Sequence, residues 1–139
     1  MLTDTYARDP MGAGAPLRTA VRGALIAGLR QHPTTIVFLA FAGDVPAGLA
    51  TCFRGFSTFA ARPLINVHDL VVPAAYRGLG VGRQLLEAVE RKARTLDCCR
   101  LTLEVTEGNE VARHLYERVG FARSMYGKGG GLLVYAKEL

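Results

Sequence analysis

The chain has no apolar run approaching the ~20 residues that a membrane-spanning helix needs, and its first residues lack the charged-then-apolar pattern of a signal peptide. Both absences predict a cytoplasmic protein with no membrane partner. Cysteine is scarce: Cys52, Cys98 and Cys99 form no C-x-x-C pair, and an odd count with two sequence neighbours argues against a disulfide framework. Reduced, buried thiols are expected. His32, His68 and His114 are too dispersed for a zinc site. The net charge is +5, yet the 17 Lys and Arg residues form no basic run and no aromatic-basic alternation. Nucleic acid is therefore not the expected partner. With 139 residues, 50% hydrophobic and 21% charged, the composition fits one folded domain over residues 1–139.

What the chain does contain is a β-type apolar run that breaks at a proline, passes three alternating glycines and enters an amphipathic segment, from His68 to Arg83. It reads as strand, anion-binding loop, helix. From Gly82 on, Leu85, Leu86, Val89, Ala93 and Leu96 recur at helical spacing. Glu87 with Arg91 and Glu90 with Arg94 form i,i+4 pairs in the favourable order. A helix starting near Gly80 points unpaired backbone N–H groups, and the positive end of its dipole, at a loop whose glycines let a ligand approach closely. A phosphate or pyrophosphate suits that arrangement, and the excess positive charge suits a polyanionic ligand, with Arg77 and Arg83 as candidate partners. The common nucleotide motifs do not fit: no Lys-Ser/Thr follows Gly82, and neither Gly78 nor Gly80 starts a Gly-x-Gly-x-x-Gly.

The spacing Arg77-x-x-Gly80-x-Gly82 resembles the pyrophosphate loop, Arg/Gln-x-x-Gly-x-Gly/Ala, of the GNAT superfamily of acetyl-CoA-dependent N-acetyltransferases. Leu103-Glu104-Val105, Asn109, Ala112, Leu115-Tyr116-Glu117 and Gly120-Phe121 resemble the strand and helix that follow in those enzymes, in the same order. The likeness runs from Val67 to Phe121. It implies an α/β (α+β) fold, with a mixed central sheet flanked by helices, and acetyl-CoA as cosubstrate.

Along the chain, residues 1–16 are rich in breakers and read as loop after a frayed helix end. No strand pattern occurs there, so the family's N-terminal strand is expected to be missing or shortened, leaving a sheet edge that a second subunit can cover in a homodimer. Leu17, Val21, Leu25 and Leu29 predict a helix with one apolar face. Residues 36–42 and 47–53 predict a hairpin, residues 54–62 a substrate-side connection with Phe56 and Phe59 as satellite core, and Leu64–Val72 a strand. In that strand Asn66, His68, Leu70 and Val72 look one way, and Ile65, Val67, Asp69 and Val71 the other. Arg100–Val105 is expected to pair in parallel with it after a right-handed crossover. Asn109 is a good N-cap for a helix ending near Val119, with Val111, Leu115 and Val119, rather than Tyr116, as its core stripe and Gly120 at its left-handed end. Two closing strands, Phe121–Met125 and Leu132–Lys137, flank Gly127–Gly131.

Acetyl transfer first faces a protonation problem. A lysine-like amine with pKa ~10.4 is neutral in about one molecule in 2,500 at pH 7, equivalent to roughly 4.6 kcal/mol of barrier. The resemblance implies Glu104 as the base, acting through a water, with His68 as the alternative. It implies Tyr116 as the hydroxyl beside the leaving sulfur, and it implies that Asn109, the backbone of Leu70, Val71 and Val72, and the loop Arg77, Gly78, Leu79, Gly80, Val81, Gly82 and Arg83 hold the cofactor. In such folds the strand carrying Leu70–Val72 is bulged and splays from its parallel neighbour. Asp9-Pro10, Phe56-Ser57-Thr58-Phe59 and the strand before Arg77 resemble the subgroup acting on polyamines and lysine-like small amines, whereas Leu103-Glu104-Val105 also resembles enzymes acting on protein N-termini. A silent acetyl-CoA-binding domain is the alternative from another class.

Overall fold

The computed structural model describes residues 1–10, 12–124 and 131–139. Two helices come first, α1 (Leu2–Arg8) and α2 (Thr19–Gln31), followed by strands β1 (Thr35–Ala42), β2 (Val45–Ser57) and β3 (Arg62–Val71). A 3-10 turn at Ala74–Tyr76 leads into α3 (Val81–Thr95), then β4 (Arg100–Thr106), α4 (Glu110–Arg118), β5 (Ala122–Arg123) and β6 (Leu132–Glu138). The strands form one sheet in the order β1-β2-β3-β4-β6-β5. Only β3 and β4 pair in parallel, because α3 crosses between them; the β1–β2, β2–β3, β4–β6 and β5–β6 pairs are antiparallel. Among the described residues no strand precedes Thr35, as the sequence implied. Residues 2–8, however, form a helix rather than a loop.

The apolar, β-branched run of β1 turns into β2 through two residues, with Gly43 at φ +61°, a conformation that matches hairpin twist. A bulge at Ala40/Phe41 accommodates Pro46, which has no N–H for the ladder. Helix α3 buries Leu85, Leu86, Val89 and Ala93 against the sheet, each leucine or valine contributing about 1.5–3 kcal/mol. The core continues through Ile65, Val67, Leu101, Leu103 and Tyr135. Tyr135 is buried because its hydroxyl donates to Glu117 Oε1 (2.9 Å) and accepts from Arg113 Nε (3.3 Å).

Several sequence expectations change. Helix α2 forms, but none of its residues is buried, and Val37, Leu39 and Phe41 of the edge strand are exposed. Phe56 and Phe59 are exposed rather than core, Phe59 to 94%, because β2 and β3 extend beyond the sheet as a two-stranded arm to Ser57 and Arg62. On α4 it is Tyr116, at 8% exposure, that faces the core, while Val111 is 81% exposed. Ala112, Leu115 and Val119 pack beside Tyr116. Glu90 does pair with Arg94 (2.8 Å), but Glu87 takes Arg83 (2.7 Å) instead of Arg91. The first closing strand shrinks to two residues; Met125 and Gly127–Gly130 lie outside the described residues. All three cysteines are free and buried, and burial pushes the Cys52 thiol up to about 12.

Candidate functional site

The glycine loop is built by backbone conformation. Gly78 and Gly80 have φ of +76° and +82°, in the left-handed region that a Cβ disfavours. A Cβ on Gly78 would meet nothing within 4 Å, and one on Gly80 only Gln84 Nε2 at 3.9 Å, so open space lies over the turn. Gly80 caps α3, whose first intrahelical bond is Gln84 N–H to Gly80 O (3.0 Å). The N–H groups of Val81, Gly82 and Arg83 therefore lack intrahelical acceptors. Gly82 plays a different part. A Cβ there would come within 2.9 Å of Leu115 Cδ2, so this glycine lets α4 pack closely on α3. The arginines are oriented: Arg77 donates from Nε to Val72 O (3.0 Å) and from Nη2 to Asp9 Oδ2 (2.8 Å), while Arg83 is held by Glu87.

Beside the loop the sheet opens. The β3–β4 ladder has three pairs and ends at Val67↔Leu103. Beyond it Asp69–Val71 pair only with β2, and Glu104–Thr106 only with β6. The separation begins at a bulge. Asp69 faces Thr51 and Val67 faces Cys52, which leaves His68 as the extra residue. Strict alternation therefore fails: Leu70 shares the core side with Val67, and Asp69 does not.

The other sequence-predicted groups lie on β3, β4 and α4. Tyr116 packs its ring on Phe121 (centroids 6.0 Å apart) and Tyr135 (6.3 Å). Burial, with a smaller effect from Tyr6, pushes its hydroxyl up to about 12. Glu104 is exposed on β4, the first residue past the last ladder pair. His68 is exposed and edges against Phe53 (5.4 Å). Asn109 caps α4, accepting from Ala112 N–H (3.2 Å). The bulge makes His68 the unpaired residue of β3, and Glu104 stands just past the end of the ladder.

Sequence reasoning missed the wall opposite. Tyr6, Thr3, Gly12, Ala13, Leu17 and Asp69 line a cavity of about 390 Å³ between α1 and β3. Burial, then the charges of Asp69 and Asp9, raise the Tyr6 hydroxyl above its usual value. The cavity thus combines an aromatic ring and a carboxylate, a pairing that suits a cation. Asp69 was legible as a charge in an apolar strand; Tyr6, 63 positions away, carries no local signal. A second cavity, about 360 Å³ between α3 and α4, is lined by groups already joined: Lys137 Nζ donates to Glu90 (2.6 Å) and to Val119 O (2.7 Å).

The model of the Acetyltransferase (GNAT) family matches residues 4–121. A thialysine N-epsilon-acetyltransferase of Caenorhabditis elegans is 29% identical over 92 residues, 66% of this chain and 57% of that enzyme. Streptothricin acetyltransferase of Streptomyces lavendulae is 37% identical over 70 residues, 50% of this chain and 37% of that enzyme. The chain thus spans less than two thirds of the length of these relatives. An acetyltransferase structure from Thermus thermophilus superposes with a TM-score of 0.77 at 25% identity, covering 99% of this chain and 89% of that one. A helix N-terminus behind two left-handed glycines, a sheet splayed at a bulge and the family match over residues 4–121 together make this chain a member of the GNAT acetyltransferase family.

Proposed function

We propose that this chain is an N-acetyltransferase that takes the acetyl group of acetyl-CoA to a small, cationic primary amine. The observation that carries the reading is the splay after Val67 and Leu103, flanked by the glycine loop on one side and the cavity with Asp69 and Tyr6 on the other. The residues fit the cosubstrate, which supplies an acetyl thioester. The N–H groups at the start of α3 and the open, left-handed glycines suit a pyrophosphate, with Arg77, Gly78, Leu79, Gly80, Val81, Gly82 and Arg83 around it. The unladdered backbone of Leu70 and Val71, with Val72 after them, suits an extended amide chain, and Asn109 closes the far side.

On the acceptor side, Asp69 and the Tyr6 ring hold the ammonium end of the amine in the cavity. Glu104, through a water, removes the proton that keeps the reacting nitrogen inert; His68 is the second choice, since the bulge turns it toward Phe53. Tyr116 stays protonated throughout the physiological range. A phenol with pKa about 12 transfers its proton poorly to a thiolate whose own pKa is ~8.5. Tyr116 therefore acts as a neutral hydrogen-bond donor to the departing sulfur, and the proton follows from the nitrogen.

The test is thiol release by purified protein from acetyl-CoA against a panel of diamines, lysine analogues and N-terminal peptides. Amine-dependent release favouring small diamines supports the proposal; acetyl-CoA affinity without release marks a silent binding domain. Preference for peptides would move the acceptor to protein N-termini, in line with the 34% identity over 88 residues to the N-alpha-acetyltransferase RimI of Mycobacterium tuberculosis.

A further inference from the structure

The segment after α1 is a built wall. Asp9 N–H returns to Tyr6 O (3.0 Å), and Asp9 O accepts from Gly12 N–H (2.8 Å) and Gly14 N–H (3.2 Å). Ala15 N–H reaches Ala7 O (2.9 Å), and Leu17 N–H reaches Asp4 Oδ1 (2.9 Å). A Cβ on Gly12 would strike the Tyr6 carbonyl oxygen, so no side chain fits at that point. This wall supplies Gly12, Ala13 and Leu17 to the cavity that holds Tyr6 and Asp69. One side chain ties it to the other half of the site. The Arg77 guanidinium holds Asp9 Oδ2 at 2.8 Å and Val72 O at 3.0 Å, joining the cavity wall to the segment that leads into the glycine loop.

Resting on the reading of the cavity as the amine site, we propose that Asp9 is a positioning residue that couples the two halves: through Arg77 it sets the cavity wall by the state of the glycine loop. A guanidinium carries five N–H donors. Among the described residues two are engaged, on Val72 and Asp9, and the Nη1 edge is offered to a phosphate oxygen. Anion binding at the loop then fixes the plane of Arg77, and with it Asp9 and the Gly12 and Gly14 N–H groups bonded to its carbonyl. Linkage makes the effect reciprocal: the amine must tighten the anion by the same factor. The pair is partly exposed, with Arg77 at 57% and Asp9 at 24%, which limits the coupling to about three- to fivefold.

The experiment is calorimetric. The affinity of the best diamine of the panel is measured with and without saturating CoA, which binds without reacting, for wild type, Asp9→Asn, Arg77→Gln and the double variant. The proposal expects CoA to tighten the amine about three- to fivefold in wild type and to leave it unchanged in each single variant. The double variant should be no worse than either single one, and Asp9→Glu should recover part of the coupling. Coupling of wild-type size in Asp9→Asn, or losses that add in the double variant, would overturn it. Should Asp9→Asn unfold, Arg77→Gln reads the same link from the other side. Wild type that neither binds nor acetylates any amine overturns the amine-site reading itself, whereas an active wild type with no CoA effect overturns the coupling alone.

Discussion

Helices α2 and α3 are thirteen and fifteen residues long, and both carry apolar residues at helical spacing; α3 buries five residues and α2 buries none. Periodicity predicts that a segment can be an amphipathic helix, but not what its apolar face will find. Helix α3 lies across β1, β2, β3 and β4, where its leucines join the core. Helix α2 precedes the edge strand β1, whose Val37, Leu39 and Phe41 are exposed as well. The proposed labour is divided differently: the glycine loop and the splay lie in the β3–α3–β4–α4 region, and the α1 segment with Asp69 of β3 shapes the acceptor cavity.

Truncations measure the contrast most strongly. Leu86→Ala on α3 is expected to cost about 2–5 kcal/mol, whereas Ile26→Ala on α2, where the side chain is exposed, should stay within about 0.5 kcal/mol. Urea unfolding of both variants checks this, and comparable losses would mean that α2 is packed in solution. Next in size, Tyr116→Phe should lower kcat by roughly 10²-fold with acetyl-CoA affinity little changed. Because the wild-type hydroxyl is pushed up to about 12, kcat should show no loss between pH 8 and 10 from ionisation of this tyrosine. A decline there that Tyr116→Phe abolishes would contradict the assignment.

The glycines sharpen the comparison within the loop. Gly80→Asp places a carboxylate beside the α3 N-terminus in open space, so acetyl-CoA affinity should fall tenfold or more while the far-ultraviolet spectrum is kept. Gly82→Asp strikes Leu115, so it should lower the melting temperature by several degrees through overpacking. Equal behaviour of the two variants would erase the distinction. A smaller effect concerns acid. Hydrogen bonding from Lys137, then from Arg94, holds the Glu90 carboxyl below its usual range. A lowered folded pKa contributes stability that is fully present above the ordinary carboxylate range and is lost as pH falls through the folded value. Glu90→Gln should therefore be less stable than wild type at pH 7, and the difference should narrow toward pH 3, as read by denaturation at each pH.

What was legible follows from range. The loop, the α3 stripe and the Asn109 cap are set by neighbours within a few positions, so Gly80 and Asn109 stand where local rules place them. The bulge at His68 depends on the register against Thr51 and Cys52, and alternation read along one strand cannot contain it. A stripe of Val111, Leu115 and Val119 puts Tyr116 on the outer side of α4. The strands actually place β6 and Phe121 against the next face, which buries the tyrosine. Tyr6 and Asp9 join the site through contacts that span more than sixty positions, and the arm carrying Phe56 and Phe59 is exposed because its strands outrun the helices.

In the proposed division, the glycine loop and the splay serve the acetyl donor and the cavity between α1 and β3 serves the amine. Steady-state thiol release at saturating acetyl-CoA with a diamine, for wild type and Asp69→Asn, tests it most directly when paired with the acetyl-CoA Kd of each. The prediction is a fall in kcat/KM for the diamine of about tenfold, carried mainly by KM, with the Kd for acetyl-CoA within twofold of wild type. An unchanged KM, or a loss of acetyl-CoA affinity as large as the loss of kcat/KM, would contradict it.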